Sequence, residues 1–331
     1  MTEVEESVLL SALPDGLILI EGDAVAYANP AAEQLLGAPL PATLRRLLPA
    51  SLVDLVDEAR AGRRAGKVIE RGNPPRWIEV VAKPLAESEG SVVVVMRDVT
   101  EVRKVEVMRR DFVADASHEL KTPVASIQAV AETLLRAMDD DAAAARRFAE
   151  QLHATAGRLS HIVADLLDLS RVESEPPQMK PVDLGRLATK EADRIADRAD
   201  VEGVSLTVTV EPVRVSASRK DLRLALRNLL ENALEYTPAG GTVTISTGVD
   251  GDEGVMAVAD TGLGIPRRDI SRIFERFYRV DDARNRETGG TGLGLAIVRN
   301  VADMHGGTVT VESELGVGST FTIRLPLRDA K

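Results

Sequence analysis

The spacing of apolar positions changes along this chain, and each change marks a different architecture. Over 16–22 the run Gly-Leu-Ile-Leu-Ile-Glu-Gly is short, apolar and closed by a turn residue, which predicts a strand. A second strand is predicted over 24–29. Asn29-Pro30 then starts a helix with proline at its first position, and Gly37 and Pro39 stop it. Short helical pieces are predicted up to Arg60, followed by strands over 67–71, 76–83 and 91–97. Residues 8–98 therefore read as a small α+β domain.

From Glu101 the pattern turns helical and continues to Met138, where Asp139-Asp-Asp141 predicts a turn. A second helix is predicted over 142–173. Leu152, Leu159 and Leu166 recur every seven residues, and so do Thr155, Ile162 and Leu169, an a/d seam with one polar step at Thr155. Long helices joined by a short turn make a hairpin, and one hairpin alone has too little partner surface. Residues 99–173 are thus expected to pair with a second chain as a homodimeric four-helix bundle. The alternative is a helical linker packed on the rest of the chain. Prolines 176, 177 and 181 make 174–182 a linker. Residues 183–328 carry an α/β sandwich pattern. Its strands are predicted over 204–210, 242–247, 255–259, 307–312 and 319–325, and its helices over 184–199, 220–236 and 295–305.

Composition narrows the chemistry. The 331 residues allow two or three domains, and a hydrophobic content of 44% supplies packed cores. The chain contains no cysteine, which excludes disulfides, thiolate metal sites and cysteine nucleophiles and fits a reducing compartment. A net charge of −11 argues against nucleic acid as a partner. The start, Met1-Thr-Glu-Val-Glu-Glu, is acidic, unlike a signal peptide. The longest apolar runs have strand length, whereas a membrane span needs about 20 residues. A cytoplasmic protein is expected, with membrane association only through a partner or a removed anchor.

Several motifs in the last segment suit a nucleotide. Asn228 and Asn232 lie one helical turn apart on one face, although asparagine is a poor interior helix residue. The side-chain oxygen of Asn232 is a suitable hard ligand for Mg²⁺. Asp260 ends a predicted strand and is followed by Gly262 and Gly264, which let the backbone come close to a flat ligand. A buried carboxylate there can accept a hydrogen bond from an exocyclic amine such as adenine's. Gly290-Thr291-Gly292-Leu293-Gly294 places alternate glycines before a helix start, a phosphate cradle of free N–H groups and positive dipole. It is neither a Walker loop nor a dinucleotide fingerprint.

The remaining motif is Phe112-Val-Ala-Asp-Ala-Ser-His118-Glu119-Leu-Lys121-Thr122-Pro123, within the first long helix. With it, the order and spacing of motifs over 101–327 resembles a sensor histidine kinase. His118 lies in what looks like the H box, 228–236 the N box, 260–264 the G1 box, 274–278 the F box and 290–294 the G2 box. Phrases over 13–37 and 97–100 resemble a PAS sensor domain, and the whole is more weakly similar to phosphate-regulon-type sensors. The resemblance implies a multidomain α+β protein whose last domain is a Bergerat-type ATP-binding fold.

It also implies roles. His118 would be the phosphoacceptor, with Glu119 taking its ring proton and Thr122 aligning a water for phosphatase chemistry. ATP would be held by Asn228, Asn232, Tyr236, Asp260, Gly262 and Gly264. Arg279, Arg284, Gly290, Thr291, Gly292, Leu293 and Gly294 would complete the pocket, and Asn232 would carry Mg²⁺. His153 and His161 read as packing or surface residues, and His305 as a helix end. One residue departs from the pattern: many members carry lysine where this chain has Glu235. Either another cation, such as Arg279, Arg284 or Arg286, takes over, or Glu235 points away.

The implied function is autophosphorylation of His118 from Mg-ATP and transfer to an aspartate of a cognate response regulator, with reverse phosphatase activity. The alternative is a nucleotide-binding signalling scaffold without transfer. With no histidine before His118 and no cysteine anywhere, a His-ligated haem and a flavin–thiol photosensor are excluded in the first domain. An unknown ligand or partner of that domain remains to supply the signal.

Overall fold

A computed structural model describes residues 10–37, 39–43, 46, 50–85, 90–280 and 290–327. The chain divides into two compact units, one through Val113 and one from Ala114 onward. The fold is multidomain α+β.

In the first unit, strands β1 (Gly16–Glu21), β2 (Ala24–Ala28), β3 (Ala65–Arg71), β4 (Arg76–Pro84) and β5 (Ser91–Asp98) form a sheet in the order β2-β1-β5-β4-β3. Every pairing in it is antiparallel. One face is apolar at alternate positions, as a half-buried strand requires. Helices α1 (Pro30–Leu36) and α2 (Ser51–Arg60) belong to the same core, with Ala32, Leu52 and Val56 joining Ile18, Ile20, Ile78, Val80 and Met96. Asn29 is fully buried and organises the start of α1. Its Oδ1 accepts the N–H groups of Ala32 (3.1 Å) and Leu17 (2.8 Å), and its Nδ2 donates to the carbonyls of Leu10 and Asp15. Of the short helical pieces predicted before Arg60, α2 is seen, while positions 44, 45 and 47–49 lie outside the described residues.

Helix α3 (Thr100–Asp140) begins with a local brace. Thr100 N–H donates to Asp98 Oδ1, and Trp77 N–H donates to Thr100 Oγ1, both at 2.9 Å. The turn predicted over 139–141 is shorter than expected, because α3 continues to Asp140. Asp141 alone separates it from α4 (Ala142–Ser174), capping that helix by accepting Ala144 N–H at 2.9 Å. A single residue with extended backbone suffices to end one helix and cap the next. The a/d positions of α4 are shielded, from the half-buried Leu152, Thr155, Leu159 and Leu166 to the buried Ile162 and Leu169. No helix among the described residues is long and apolar enough to cross a membrane.

The rest of the second unit is a sheet backed by helices. Strands β7 (Ser205–Val210), β9 (Thr242–Asp250), β10 (Glu253–Asp260), β11 (Thr308–Glu314) and β12 (Gly318–Pro326) take the order β11-β12-β10-β9-β7. Only β7 pairs in parallel, with β9. Helices α5 (Leu184–Glu202), α6 (Arg219–Tyr236) and α7 (Gly294–Met304) bury Leu187, Leu222, Leu226, Ile297 and Val301. The inward positions Val243, Ile245, Met256, Val258 and Ile323 are buried as well.

A strand pair was not foreseen. Lys180–Asp183 (β6), which begins inside the predicted linker, pairs antiparallel with Arg214–Ala217 (β8). Pro181 argued against a strand, but a proline is accommodated in a pair with an open edge. His305 closes α7, buried. Its Nδ1 donates to the Val301 carbonyl (2.7 Å) and its Nε2 accepts Ser218 N–H (2.9 Å).

Candidate nucleotide-binding and phosphoacceptor sites

Asn228, Asn232 and Tyr236 recur every four residues on α6, so one helical stripe presents all of them. The C-terminal end of β10 delivers Asp260 and the turn after it. That turn is pinned to α6 by Leu263 N–H donating to the Tyr236 carbonyl (3.1 Å) and to the β11–β12 turn by Gly316 N–H donating to the Leu263 carbonyl (2.8 Å). Gly262 and Gly264 are the close-approach points of this turn.

The glycine loop before α7 meets the same stripe. A Cβ on Gly294 would stand 2.7 Å from Asn228 Oδ1, so the helix start can lie this near α6 only as glycine. Asn228 is itself buried and donates Nδ2 to the Leu224 carbonyl at 2.9 Å. A Cβ on Gly290 would lie 3.4 Å from Glu235 Oε1 and 3.7 Å from Tyr236 Oη. Leu293 is buried, and its N–H donates to Thr291 Oγ1 at 3.2 Å. The structure thus gathers Asn228, Tyr236, Asp260, Gly262, Gly264 and 290–294 around the C-terminal half of α6, a surface termed the recess. The half-buried Asn232 stands in the same stripe, its side chain making no hydrogen bond to a described residue.

The charges of the recess are unusual. Asp260 Oδ1 accepts the N–H groups of Gly262 (2.9 Å) and Ser319 (3.3 Å), while Oδ2 bonds to no described residue. Burial raises the Asp260 carboxyl above its ordinary value, against the pull of those N–H groups. Burial and the charge of Glu235 push Tyr236 up to about 12, and the Arg279 charge works against that rise. Glu235 faces Gly290, both of its carboxylate oxygens lying within 3.8 Å of where a Gly290 Cβ would stand, and Arg279 is a cation near Tyr236. Arg284 and Arg286 lie outside the described residues.

On α3, His118 and Thr122 are exposed and Glu119 is half-buried. Thr122 Oγ1 donates to the His118 carbonyl at 3.3 Å. Pro123, buried one residue on, lacks the N–H that would bond the Glu119 carbonyl, yet the helix continues through it. Among the described residues, no hydrogen bond joins the His118 side chain to the recess. His153 and His161 are exposed.

Sequence reasoning missed the residues that tie α4 to the rest of its unit. Thr291 Oγ1 donates to Asp165 Oδ2 at 2.6 Å. Arg171 Nη1 donates to Asp221 Oδ1 at 2.8 Å, and Glu173 Oε1 accepts from Arg276 and Asn300. These partners are 50 to 127 positions apart, and no local period relates them.

Family models agree with the geometry. Residues 217–329 match the family of histidine kinase-, DNA gyrase B- and HSP90-like ATPases, residues 108–175 the His Kinase A (phospho-acceptor) domain, and residues 10–104 the PAS fold. The chain is 44% identical over 245 residues to the sensor-like histidine kinase SenX3 of Mycobacterium tuberculosis, a match covering 72% of this chain and 59% of that protein. The chain belongs to the sensor histidine kinases. The phosphate regulon sensor protein PhoR of Pseudomonas aeruginosa is 39% identical, over 69% of this chain and 52% of its own length. The chain therefore spans less than two thirds of the length of these relatives. Among solved structures, histidine kinase ThkA, crystallised in complex with response regulator protein TrrA, aligns over 99% of both chains with a TM-score of 0.56 at 20% identity, a likeness of fold.

Proposed function

We propose that this sensor histidine kinase binds ATP in the recess, phosphorylates His118 and passes the phosphoryl group to an aspartate of a response regulator. One observation carries the reading. Asp260 spends one carboxylate oxygen on the backbone and keeps the other for a ligand, at the mouth of a recess lined by close-approach glycines. An adenine amine is a suitable donor to that oxygen. The N–H groups at the start of α7 suit the phosphates. Asn232, its side chain uncommitted, would hold Mg²⁺ together with phosphate oxygens, and the metal when bound would neutralise phosphate charge.

Chemically, a neutral imidazole nitrogen of His118 attacks the γ-phosphorus, and the bond to the ADP oxygen breaks. The ring proton passes to Glu119. The exposure of His118 suits a group that must receive phosphate from a separate surface and then deliver it to another protein. Pairing of two chains through α3 and α4 is part of the reading, and the apolar side chains that a single chain leaves exposed on these helices, Val124, Leu135, Met138 and Leu167, support it. Thr122, one turn beyond His118, would serve the reverse, phosphatase reaction.

The test is phosphate incorporation from γ-labelled ATP with Mg²⁺, comparing the native chain with His118→Gln. Acid-labile, base-stable label lost in the variant is expected. Nucleotide bound with no label on the native chain would overturn the kinase reading.

A further inference from the structure

The C-terminal part of α4 is fastened to the ATP-binding part of its own unit by polar anchors above a buried apolar strip of Ile162, Leu169 and Val172. Arg171 pairs with Asp221, and both side chains are largely shielded, at 19% and 11% exposed. Glu173 takes Arg276 at 2.5 Å and Asn300 at 2.8 Å. Neither of these anchors grips the glycine cradle. Nor does Asp168, which accepts from Arg227 at 3.4 Å. Asp165 does, since its Oδ2 accepts the hydroxyl of Thr291 at 2.6 Å. That hydroxyl in turn accepts Leu293 N–H, a donor at the start of α7. The donor that would face a phosphate is thus occupied by a hydroxyl whose orientation a carboxylate dictates.

We propose that Asp165 is a positioning residue that makes nucleotide binding and docking of the cradle on α4 mutually exclusive. The inference rests on the reading of the recess as an ATP site. A triphosphate brought to 290–294 places strong negative charge beside a carboxylate already bonded to that loop. The surroundings make this charge hard to tolerate. Burial raises the carboxyl of Asp165, and the nearby charge of Asp168 raises it further, while Arg227, His161 and the Thr291 hydroxyl offset this only in part. Glu231, half-buried, is raised in the same way, and Asp165 is among its causes. By linkage, whatever the triphosphate does to the Asp165–Thr291 bond, the bond does equally to the triphosphate. Docking therefore weakens ATP binding. Arrival of the triphosphate frees the cradle from α4, which lets the ATP-binding part leave its resting position and reach His118, to which no hydrogen bond joins it among the described residues.

The experiment uses the full chain and a non-hydrolysable ATP analogue with Mg²⁺, with affinity read by calorimetry. Asp165→Asn keeps the shape and an acceptor for Thr291 but removes the charge. It should bind the triphosphate about five-fold or more tightly than the native chain. ADP, which carries less charge to the cradle, should gain less. Glu173→Gln makes the same isosteric change at an anchor away from the cradle and should leave affinity within about two-fold. Autophosphorylation of Asp165→Asn at subsaturating ATP should rise in step with its affinity. Unchanged triphosphate affinity in Asp165→Asn, or an equal gain in Glu173→Gln, would overturn the latch. Absence of nucleotide binding in every variant, the native chain included, would instead overturn the reading of the recess on which it rests.

Discussion

Phe277 and Gly292 hold each other in place: the N–H of Phe277 donates to the Gly292 carbonyl at 2.8 Å, and a Cβ on Gly292 would stand 2.8 Å from the Phe277 backbone. Both have left-handed backbone, with φ of 61° at Phe277 and 72° at Gly292. A bulky residue takes that conformation only when its surroundings compel it. Here the compelling group is the glycine loop itself.

Gly292→Ala should accordingly reduce affinity for a non-hydrolysable triphosphate by about tenfold or more. Left-handed strain for a residue with a Cβ costs about 1–2 kcal/mol, and Phe277 cannot retreat without losing its bond to the loop. Calorimetric titration decides the matter, and an alanine variant that binds like the native chain would remove the loop from the nucleotide site.

Asp260→Asn should separate stability from binding. The amide presents a donor where the carboxylate accepted, so ATP affinity should fall about 10- to 100-fold, as expected for a hydrogen bond to a charged group. Stability should not fall. The raised carboxyl of the folded state takes up its proton at a pH where the unfolded chain, near 3.8, has already lost it. Stability from this group therefore declines as pH rises through that window, and the cost of the buried charge stands in full above it. The variant should be as stable as the native chain at neutral pH, or more so, with a different acid-side slope. Thermal melts across the acid range would show this, and a strongly destabilised variant would contradict it.

Glu235 lies against Gly290, at the position where the family resemblance leads one to expect a lysine. A carboxylate near phosphate in a water-accessible site opposes binding by about 1 kcal/mol. Glu235→Gln is expected to tighten triphosphate binding about five-fold, and Glu235→Lys further. Weaker binding in both variants would mean that Glu235 supports the recess by holding a neighbour such as Arg279.

His305→Ala should destabilise the ATP-binding part without touching the recess. It strands the Ser218 N–H and the Val301 carbonyl in the interior and leaves a void, at a cost of about 2–4 kcal/mol. Urea unfolding followed by far-ultraviolet dichroism measures the loss. A change under about 0.5 kcal/mol, the usual range for surface substitutions, would argue that the imidazole is not the link between α6 and α7.

Much was legible because the signals are local. The seven-residue repeat of α4 appears in the structure as shielding of the same positions, since a helix of regular pitch keeps one stripe inward. The places of the motif residues in the fold were legible by spacing: Asn228 and Asn232 by one helical turn, Asp260 by a strand end, and 290–294 by alternate glycines before a helix. The turn over 139–141 was read too long, because a triplet of aspartates does not say which of them leaves the helix. Strand β6 was read as linker, because its partner β8 lies over 30 positions away and Pro181 is a poor strand residue.

By itself, the sequence of this protein determined most of the elements that form and nominated the side chains proposed to carry its chemistry, because helical pitch, strand alternation and glycine conformation are properties of neighbouring residues. Only the tertiary structure decided where charges meet. It turned Glu235 toward Gly290, left one oxygen of Asp260 free of the backbone, and set Asp165 against Thr291 across 126 positions. Such pairs depend on how helices and sheet pack, and packing is governed by buried area and shape over the whole unit, which no local pattern of residues records.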